Sequence, residues 1–532
     1  MLTLLLESSP AVNKSCWFTI FTLLTLSCLQ QVNAEENAKP SSQQKATNAS
    51  TKAFDFAQLD VRARELSQKP YKSDDGDLPD VFAQLSPEQY RNIHYREDRL
   101  VWHEEGLPFQ LALNHRGYIY KDRVFVNTVE KGQVNRIAYA PELFDFGQLS
   151  VMGAMSTDPG FSGLSVRYPL KRDQHFDEIT LFLGASYFKA MGLGQVQGLS
   201  ARALAIDTGM NKAEEFPVFR EFWVERPDSE ATELVVYALL DSVSLTGAYR
   251  FVIQPGIDLH IDVQSKLYLR QAVDRLGIAP LTSMFLHGEN TESFKDDYRP
   301  EVHDSDGLLM ARHNGEMIWR PLNNPRQLRI SVFKDTSPRG LGLLTRDRNF
   351  DHYQDPEAHY QTRPSAWVEP LGEWGPGSVY LLEIPSDAEK YDNIASFWVP
   401  DHGTARGKSL TYNYRLHFQS SEPLSGHNGR VMATRISHVA VEGDAHARRV
   451  QVDFTGDRLS LLSPEARIEA DVGASSGTVQ DTEIRKIAEN GYWRLSFTLI
   501  PEKDKDPVEL RAALRNGKDV LTETWLYQWN QK

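Results

Sequence analysis

The chain has 532 residues, of which 41% are hydrophobic and 24% are charged. These proportions are typical of a globular protein and not of a disordered one. Its 72 Asp and Glu outnumber its 58 Lys and Arg, which gives a net charge of −14. Binding to nucleic acid or to an anionic membrane surface needs clustered cations, so this charge argues against both as partners.

The N-terminal segment 1–34 has the pattern of a Sec-type signal peptide. Lys14 precedes an apolar run over residues 16–29, and Val32-Asn33-Ala34 follows with small residues at the −3 and −1 positions of a cleavage site. A transmembrane helix needs about 20 apolar residues, so this run is too short to span a bilayer comfortably. We therefore expect export to the periplasm, cleavage before Glu35 and no membrane insertion of the mature chain. An uncleaved anchor is the alternative.

Both cysteines of the chain, Cys16 and Cys28, lie in that segment. The mature chain is therefore expected to have no disulfide, no thiolate metal site and no cysteine nucleophile. The polar segment 35–52 has no apolar period and predicts a disordered lead-in.

Two short helices are predicted next. Apolar residues recur at helical spacing from Phe54 to Leu66, which favours an amphipathic helix. Ser86 followed by Pro87 is a helix start signal, with the serine as N-cap and the proline in the first turn.

From about residue 100 to about residue 420, apolar and polar residues alternate in short runs that Gly, Pro, Asn or Asp terminate. Short helices are expected only near 201–204 and 387–391. So many strands predict a large β-sandwich over 53–418. The Ser/Gly/Pro-rich segment 419–429 predicts a linker.

Beyond the linker, about seven further strands in ~100 residues predict a small immunoglobulin-like sandwich over 430–532. Without cysteines, only the architecture of that fold is expected to apply.

Two glycine-rich segments resemble nucleotide-binding loops but do not fit them. Residues 192–198 form a G-x-G-x-x-x-G run, which is one residue longer than the dinucleotide-binding motif. Residues 403–409 resemble a phosphate-binding loop but are one residue too short for it. The histidines show no paired motif supported by carboxylates, and no G-x-S-x-G elbow is present. The sequence therefore predicts no cofactor and no metal.

Acid-rich turns interleaved with aromatic residues over 300–400 are more informative. Charged surface turns would account for them, but a glycan-cleaving cleft uses the same residue types. Aromatic rings stack on sugar faces, polar side chains bind hydroxyls, and two carboxyls act as general acid and base. The candidates for sugar binding are Arg363, Trp367, Trp374, Trp398 and His303.

Several longer motifs resemble the periplasmic glucan biosynthesis family that has G and D branches, and they span nearly all of the mature chain. They are Gly184-Ala185-Ser186-Tyr187-Phe188, Gly198-Leu199-Ser200-Ala201-Arg202, Glu215-Phe216-Pro217, Ala279-Pro280-Leu281-Thr282-Ser283-Met284-Phe285, Tyr298-Arg299-Pro300-Glu301-Val302-His303-Asp304-Ser305, Arg320-Pro321-Leu322-Asn323-Asn324-Pro325, Arg363-Pro364-Ser365-Ala366-Trp367 and Asp392-Asn393-Ile394. The lack of a twin-arginine signal favours the G branch.

The resemblance implies a mainly β fold, with a large galactose-mutarotase-like sandwich followed by an immunoglobulin-like domain. It implies a role in making osmoregulated periplasmic glucans, and similarity to inverting endo-β-1,2-glucanases. Matching positions put the family's general acid on Asp392, its base-side carboxylate on Asp304, which works through waters, and a supporting acid on Glu389. Tyr391, beside the acid, departs from what the resemblance leads us to expect.

Three functions compete at this point. The first is an enzyme that cuts or trims β-1,2-glucan, and the second is a non-catalytic glucan-binding factor that assists polymer synthesis or branching. The third is a sugar epimerase, which the mutarotase-like fold alone suggests. The partners considered are β-1,2-glucan, a second copy of the chain and, functionally, the inner-membrane glucan synthase. Incubation with linear β-1,2-glucan separates the first function from the others.

Overall fold

The protein is described by a computed structural model over residues 53–73, 78–149, 158–171, 175–291, 296–424, 428–441, 446–503 and 506–530. The predicted signal peptide and lead-in lie outside the described residues. Over the part that is described, none of the helices is both long and apolar enough to cross a membrane.

The helices of the described residues are short. The α-helices are α1 Phe56–Ser67, α2 Asp80–Ala83, α3 Pro87–Arg91, α4 Phe350–Tyr353 and α5 Asp457–Ser460, and 3₁₀ turns cover Glu97–Arg99, Pro141–Leu143 and Tyr360–Thr362. The prediction for α3 is confirmed, since Ser86 and Gln89 form a reciprocal capping box around Pro87. The amphipathic helix is confirmed as α1, which Asp55 caps by accepting from the Gln58 amide.

Strands account for most of the rest. In chain order they are β1 His94–Tyr95, β2 Gln110–His115, β3 Phe125–Glu130, β4 Gln133–Arg136, β5 Phe144–Asp145, β6 Phe161–Tyr168, β7 Asp177–Leu183, β8 Tyr187–Ala190, β9 Ser200–Arg202, β10 Leu204–Ile206, β11 Val218–Glu225, β12 Leu234–Asp241, β13 Leu245–Gln254, β14 Leu259–Leu269, β15 Leu276–Ser283, β16 Phe285–His287, β17 Val302–His303, β18 Gly307–Ala311, β19 Met317–Pro321, β20 Arg329–Asp335, β21 Gly340–Leu344, β22 Ser365–Pro370, β23 Gly377–Glu383, β24 Ile394–Pro400, β25 Ser409–Gln419, β26 Arg430–His438, β27 Arg448–Thr455, β28 Glu469–Ala474, β29 Thr478–Lys486, β30 Trp493–Ile500, β31 Val508–Asn516, β32 Asp519–Val520 and β33 Thr524–Trp529.

Two large sheets form the main sandwich. One runs in the order β2-β6-β7-β8-β9-β15-β24-β23-β20, with β10 on β15, and the other runs β28-β31-β33-β19-β18-β21-β22-β25-β14-β13-β12-β11-β3-β4, with β32 on β31. Their inner faces share one core, in which Phe182 of β7 lies 5.2 Å from Phe251 of β13 between ring centroids. Strand β14 shows why the sequence forms such sheets, because buried and half-buried residues alternate along its whole length. The predicted mainly β, layered fold is confirmed.

One of the two short helices expected within the sandwich is replaced by strands. Ala201 and Arg202 belong to β9 and Leu204 belongs to β10, and β9 is paired on both sides, with β8 and β15. Tertiary pairing therefore overrides the local helical preference of Ala and Leu there. The segment 387–391 forms turns rather than a helix.

Several C-terminal strands join the larger sheet directly. Strand β33 pairs in parallel with β19, so the larger sheet continues from one region into the other. The buried Arg346 lies beside this seam, 3.8 Å above the Trp319 ring, and forms ion pairs with Glu422 and Glu523. A separate four-stranded sheet, β26-β27-β30-β29, packs there against a hydrophobic core distinct from that of the main sandwich, here called the second core. The domain limits at 418 and 430 stay a prediction.

Candidate active site

The turn over residues 301–306, here called the Asp304 turn, is fixed mainly through its backbone. Strands β16 and β17 pair just before it, and the amide of Asp304 donates to the Met284 carbonyl at 2.8 Å. The Thr345 hydroxyl donates to the carbonyl of Asp304 at 2.5 Å. The carboxyl of Asp304 is thereby held in one place, with only 4% of the residue exposed.

Arg363 is the direct partner of that carboxyl. Its Nη1 donates to Asp304 Oδ1 in an ion pair, and its Nε and Nη2 both donate to the Ala358 carbonyl at 3.1 Å. The guanidinium also lies 4.4 Å above the Tyr360 ring. A Cβ at Gly198 would come within 2.9 Å of the Arg363 side chain, so glycine is needed where that loop passes the arginine. Asp304 is thus bonded to a cation that is itself held in place by the Ala358 carbonyl and the Tyr360 ring.

The turn over residues 387–393, here called the Asp392 turn, is joined to the Asp304 turn by one buried amide. The Phe285 amide donates to Asn393 Oδ1 at 2.8 Å, and Asn393 Nδ2 donates to the carbonyls of Phe285 and Ile384 at 2.9 and 3.0 Å. Phe285 pairs in turn with His303. Asn393 therefore ties the start of β24 to the strand pair that carries Asp304.

The carboxyl of Asp392 has a different environment from that of Asp304. It keeps intermediate exposure, and its one side-chain hydrogen bond in the described structure comes from the Thr282 hydroxyl at 3.3 Å. Burial raises the pKa of Asp392 above its ordinary value, and the charge of Asp304 adds to this, while the cations Lys189 and Arg363 oppose it. The net effect favours the protonated form of Asp392.

Glu389 lies at the outer edge of this group, with 45% of its side chain exposed. Its Oε2 accepts from Arg299 Nη1 at 2.7 Å and from the Tyr360 hydroxyl at 3.1 Å. Arg299 also binds Asp355 at 2.8 Å. Because Tyr360 lies under the Arg363 guanidinium, Glu389 connects to the Asp304 side of the site rather than directly to Asp392.

His303 contacts other acids and not Asp304. Its Nε2 bonds to Glu301 Oε2 at 2.7 Å and lies 3.5 Å from Asp306 Oδ1. Burial alone would lower the pKa of His303, but the Glu301 hydrogen bond and the nearby carboxylates raise it to about 9. The ligand atoms of Glu301, His303 and Asp306 lie within 4.8 Å of one another, as they would around a metal. A metal would have to displace the proton that His303 shares with Glu301, so the contacts present are those of an ion-pair network.

The three tryptophans are packed in the interior. Trp398 is 0% exposed and Trp374 is 8% exposed in the main core, where Trp374 Nε1 donates to the Asn413 carbonyl at 3.2 Å. Trp367 is 1% exposed and belongs to the second core, against Gly340 and the C-terminal strands. The structure does not bring these rings to the carboxylates, and stacking on a sugar would require them to leave the core.

Residues of β8 and β9 that sequence reasoning did not select do face Asp392. Tyr187 and Lys189 share one face of β8, and Arg202 pairs with Tyr187 across the sheet, its guanidinium 4.7 Å from the tyrosine ring. Arg202 Nη1 donates to Glu214 at 2.9 Å, but its buried Nε and Nη2 have no hydrogen-bond partner in the described structure. Polar residues at alternate positions of otherwise apolar strands are the signal that could have identified them.

Together these groups can support acid–base chemistry. One carboxyl is protonated more readily than usual, and a second is buried beside a cation, on turns that Asn393 holds together. Such a difference between two carboxyls is what a general acid and a general base require.

Comparison with known proteins gives the family. The family model described as "Periplasmic glucan biosynthesis protein, MdoG" matches residues 54–529. A "Glucans biosynthesis protein G" from Shewanella sp. (strain MR-7) is 43% identical over 493 residues, which are 92% of this chain and 90% of the relative. Proteins of the same name from Ralstonia nicotianae and Vibrio cholerae are 43% and 41% identical, over 89% and 93% of this chain and 96% and 91% of their own lengths. The chain therefore belongs to the family of periplasmic glucan biosynthesis proteins.

Proposed function

We propose that this protein acts in periplasmic glucan biosynthesis as an inverting endo-β-1,2-glucanase that cuts or trims the glucan backbone. The observation that carries the proposal is the contrast between the two carboxyls, with burial favouring protonated Asp392 and Arg363 forming an ion pair with Asp304. The proposal includes export through the signal peptide at 1–34.

In this mechanism Asp392 donates its proton to the glycosidic oxygen as the bond to the anomeric carbon breaks. A water attacks that carbon from the opposite face, and its proton passes through further waters to Asp304. The relay through waters is what the family resemblance implies, and Arg363 donates to one of the two oxygens of Asp304. Glu389 supports the site from its edge by fixing Arg299 and Tyr360.

The test is incubation of the mature protein with linear β-1,2-glucan, followed by chain-length analysis and by NMR of the new reducing ends. We expect shortening, with the α-anomer formed first. Asp392→Asn keeps the shape of the side chain and removes the acid, so hydrolysis should fall by ~10²–10⁴-fold. Asp387→Asn is the matched control, since Asp387 is an exposed member of the same turn, and it should keep the parent rate.

The second candidate is a non-catalytic glucan-binding factor. The ion pair between Arg363 and Asp304 favours it, because a carboxylate engaged by a guanidinium is a weakened base. If the parent protein binds linear β-1,2-glucan but never shortens it, the binding role replaces the enzymatic one. Association with a second copy of the chain or with the glucan synthase belongs with that role.

A further inference from the structure

A row of polar side chains crosses three neighbouring strands and ends at Asp392. Phe188 of β8 pairs with Ala201 of β9, which leaves Lys189 and Ser200 side by side at the next position. Ser200 pairs in turn with Thr282 of β15, and Thr282 donates to Asp392 at 3.3 Å. Adjacent strands lie about 4.8 Å apart and paired residues point to the same face. The long side chain of Lys189 therefore reaches along this face toward the carboxyl of Asp392.

Lys189 is an unusual residue to bury in this way. Only 8% of it is exposed, and it forms no direct ion pair with a carboxylate in the described part of the chain. The pKa of Lys189 is lowered, because burial lowers it by more than the charges of Asp392 and Asp304 raise it. A buried ammonium near two carboxylates, but bonded to neither, acts on them through its charge.

Charged and titratable groups face Asp392 from each neighbouring element. They are Lys189 and Tyr187 on β8, Arg202 on β9, Asp304 after β17, and Arg363 before β22. Arg202 forms an ion pair with Glu214, and Arg363 forms one with Asp304. Lys189 is therefore the described cation near Asp392 whose charge no direct ion pair offsets.

We propose that Lys189 is a positioning residue of this site, whose charge sets the pH at which Asp392 loses its proton. This inference rests on the proposed glucanase function. A buried cation near Asp392 favours the ionised form of its carboxyl. Replacing Lys189 by a neutral side chain should move the alkaline limb of the pH–rate profile, which reports the acid Asp392, toward higher pH by about one pH unit.

The experiment measures pH–rate profiles on linear β-1,2-glucan for the parent and for Lys189→Met, Lys189→Gln and Lys189→Arg. The two neutral variants should shift the profile upward, and the arginine variant should restore it. Lys334→Met is the control, because Lys334 is 79% exposed on β20 and should leave the profile unchanged. A change in KM with an unshifted profile would mean that Lys189 only binds substrate, and would overturn the inference.

A second measurement separates this inference from the proposed function. Carbon-13 NMR of carboxyl-labelled aspartate, assigned with Asp392→Asn, follows the titration of Asp392 without substrate. If the parent does not cleave glucan, the glucanase proposal fails, but an Asp392 titration that moves upward in both neutral variants still supports the role of Lys189. An unmoved titration in variants that melt like the parent overturns it.

Discussion

The Asp304 turn and the Asp392 turn hold the same type of side chain in two different ways. Asp304 is fixed by backbone hydrogen bonds on both sides and by an ion pair with Arg363. Asp392 has one long hydrogen bond from Thr282 and keeps intermediate exposure. The first environment supplies a bonded cation, and the second makes a charge on Asp392 costly.

The protonation state of a carboxyl therefore follows from its neighbours and not from its sequence motif. Asp304 follows the paired strands β16 and β17, and Asp392 lies between the paired strands β23 and β24, both in acid-rich segments. The difference arises because a cation is bonded to one and only lies near the other. Substitutions in the two turns should either remove this difference in environment or allow it to be measured.

The largest effect is expected from Asp304→Asn. Hydrolysis of β-1,2-glucan should fall by ~10²–10⁴-fold, because the base is lost. The free energy of unfolding should also fall by about 3 kcal/mol, since Arg363 stays buried without its counter-charge. Urea denaturation and the chain-length assay measure the two effects.

The control for that stability loss is the double variant Asp304→Asn with Arg363→Met. Removing both partners of a buried ion pair costs much less than removing one, so stability should recover while activity stays low. If the double variant is as unstable as the single one, the ion pair is not what distinguishes the Asp304 turn.

A smaller effect is expected from Asn393→Ala, which breaks the connection between the two turns. Loss of the buried Asn393 amide leaves three backbone groups of Phe285 and Ile384 without their partner, so the free energy of unfolding should fall by about 2 kcal/mol. Asn314→Ala, which removes an exposed turn amide, should cost less than ~1 kcal/mol. Equal losses in urea denaturation would show that Asn393 does not join the two turns.

The smallest effect concerns Asp392→Asn and its dependence on pH. A folded-state pKa raised above the unfolded value means that stability falls as pH rises through that interval. The variant should therefore melt at a slightly higher temperature than the parent at pH 7, and the gain should vanish near pH 4. Calorimetry at both pH values is the measurement, with Asp387→Asn as the control. A gain of equal size at both values would contradict a raised pKa for Asp392.

Much of the fold follows from local sequence patterns. Alternation predicts strands such as β14, and the Ser86–Gln89 box predicts the start of α3, because each pattern is complete within a few residues. The helix predicted at residues 201–204 does not form, because this segment pairs with β8 and with β15, which lies far away in the chain.

The site is harder to predict for the same reason. Asp304 and Asp392 could be named from motifs, but their connection through Asn393 and Phe285 depends on packing between distant segments. Trp367, Trp374 and Trp398 have the composition expected of a sugar site, yet they fill the cores. Lys189 carries no motif of its own, and only the register of β8 against β9 brings it toward Asp392.

The pairing of β19 with β33 affects how the chain folds as it is made. Ile318 pairs with Thr524, so one edge of the larger sheet stays open until a strand made much later is available. An open edge invites pairing with other chains and attack by proteases. A molecule that is cut short before Thr524 would display this edge permanently, together with the Trp319 ring that Arg346 covers. The seam thus makes closure of that sheet edge depend on a strand near the end of the chain.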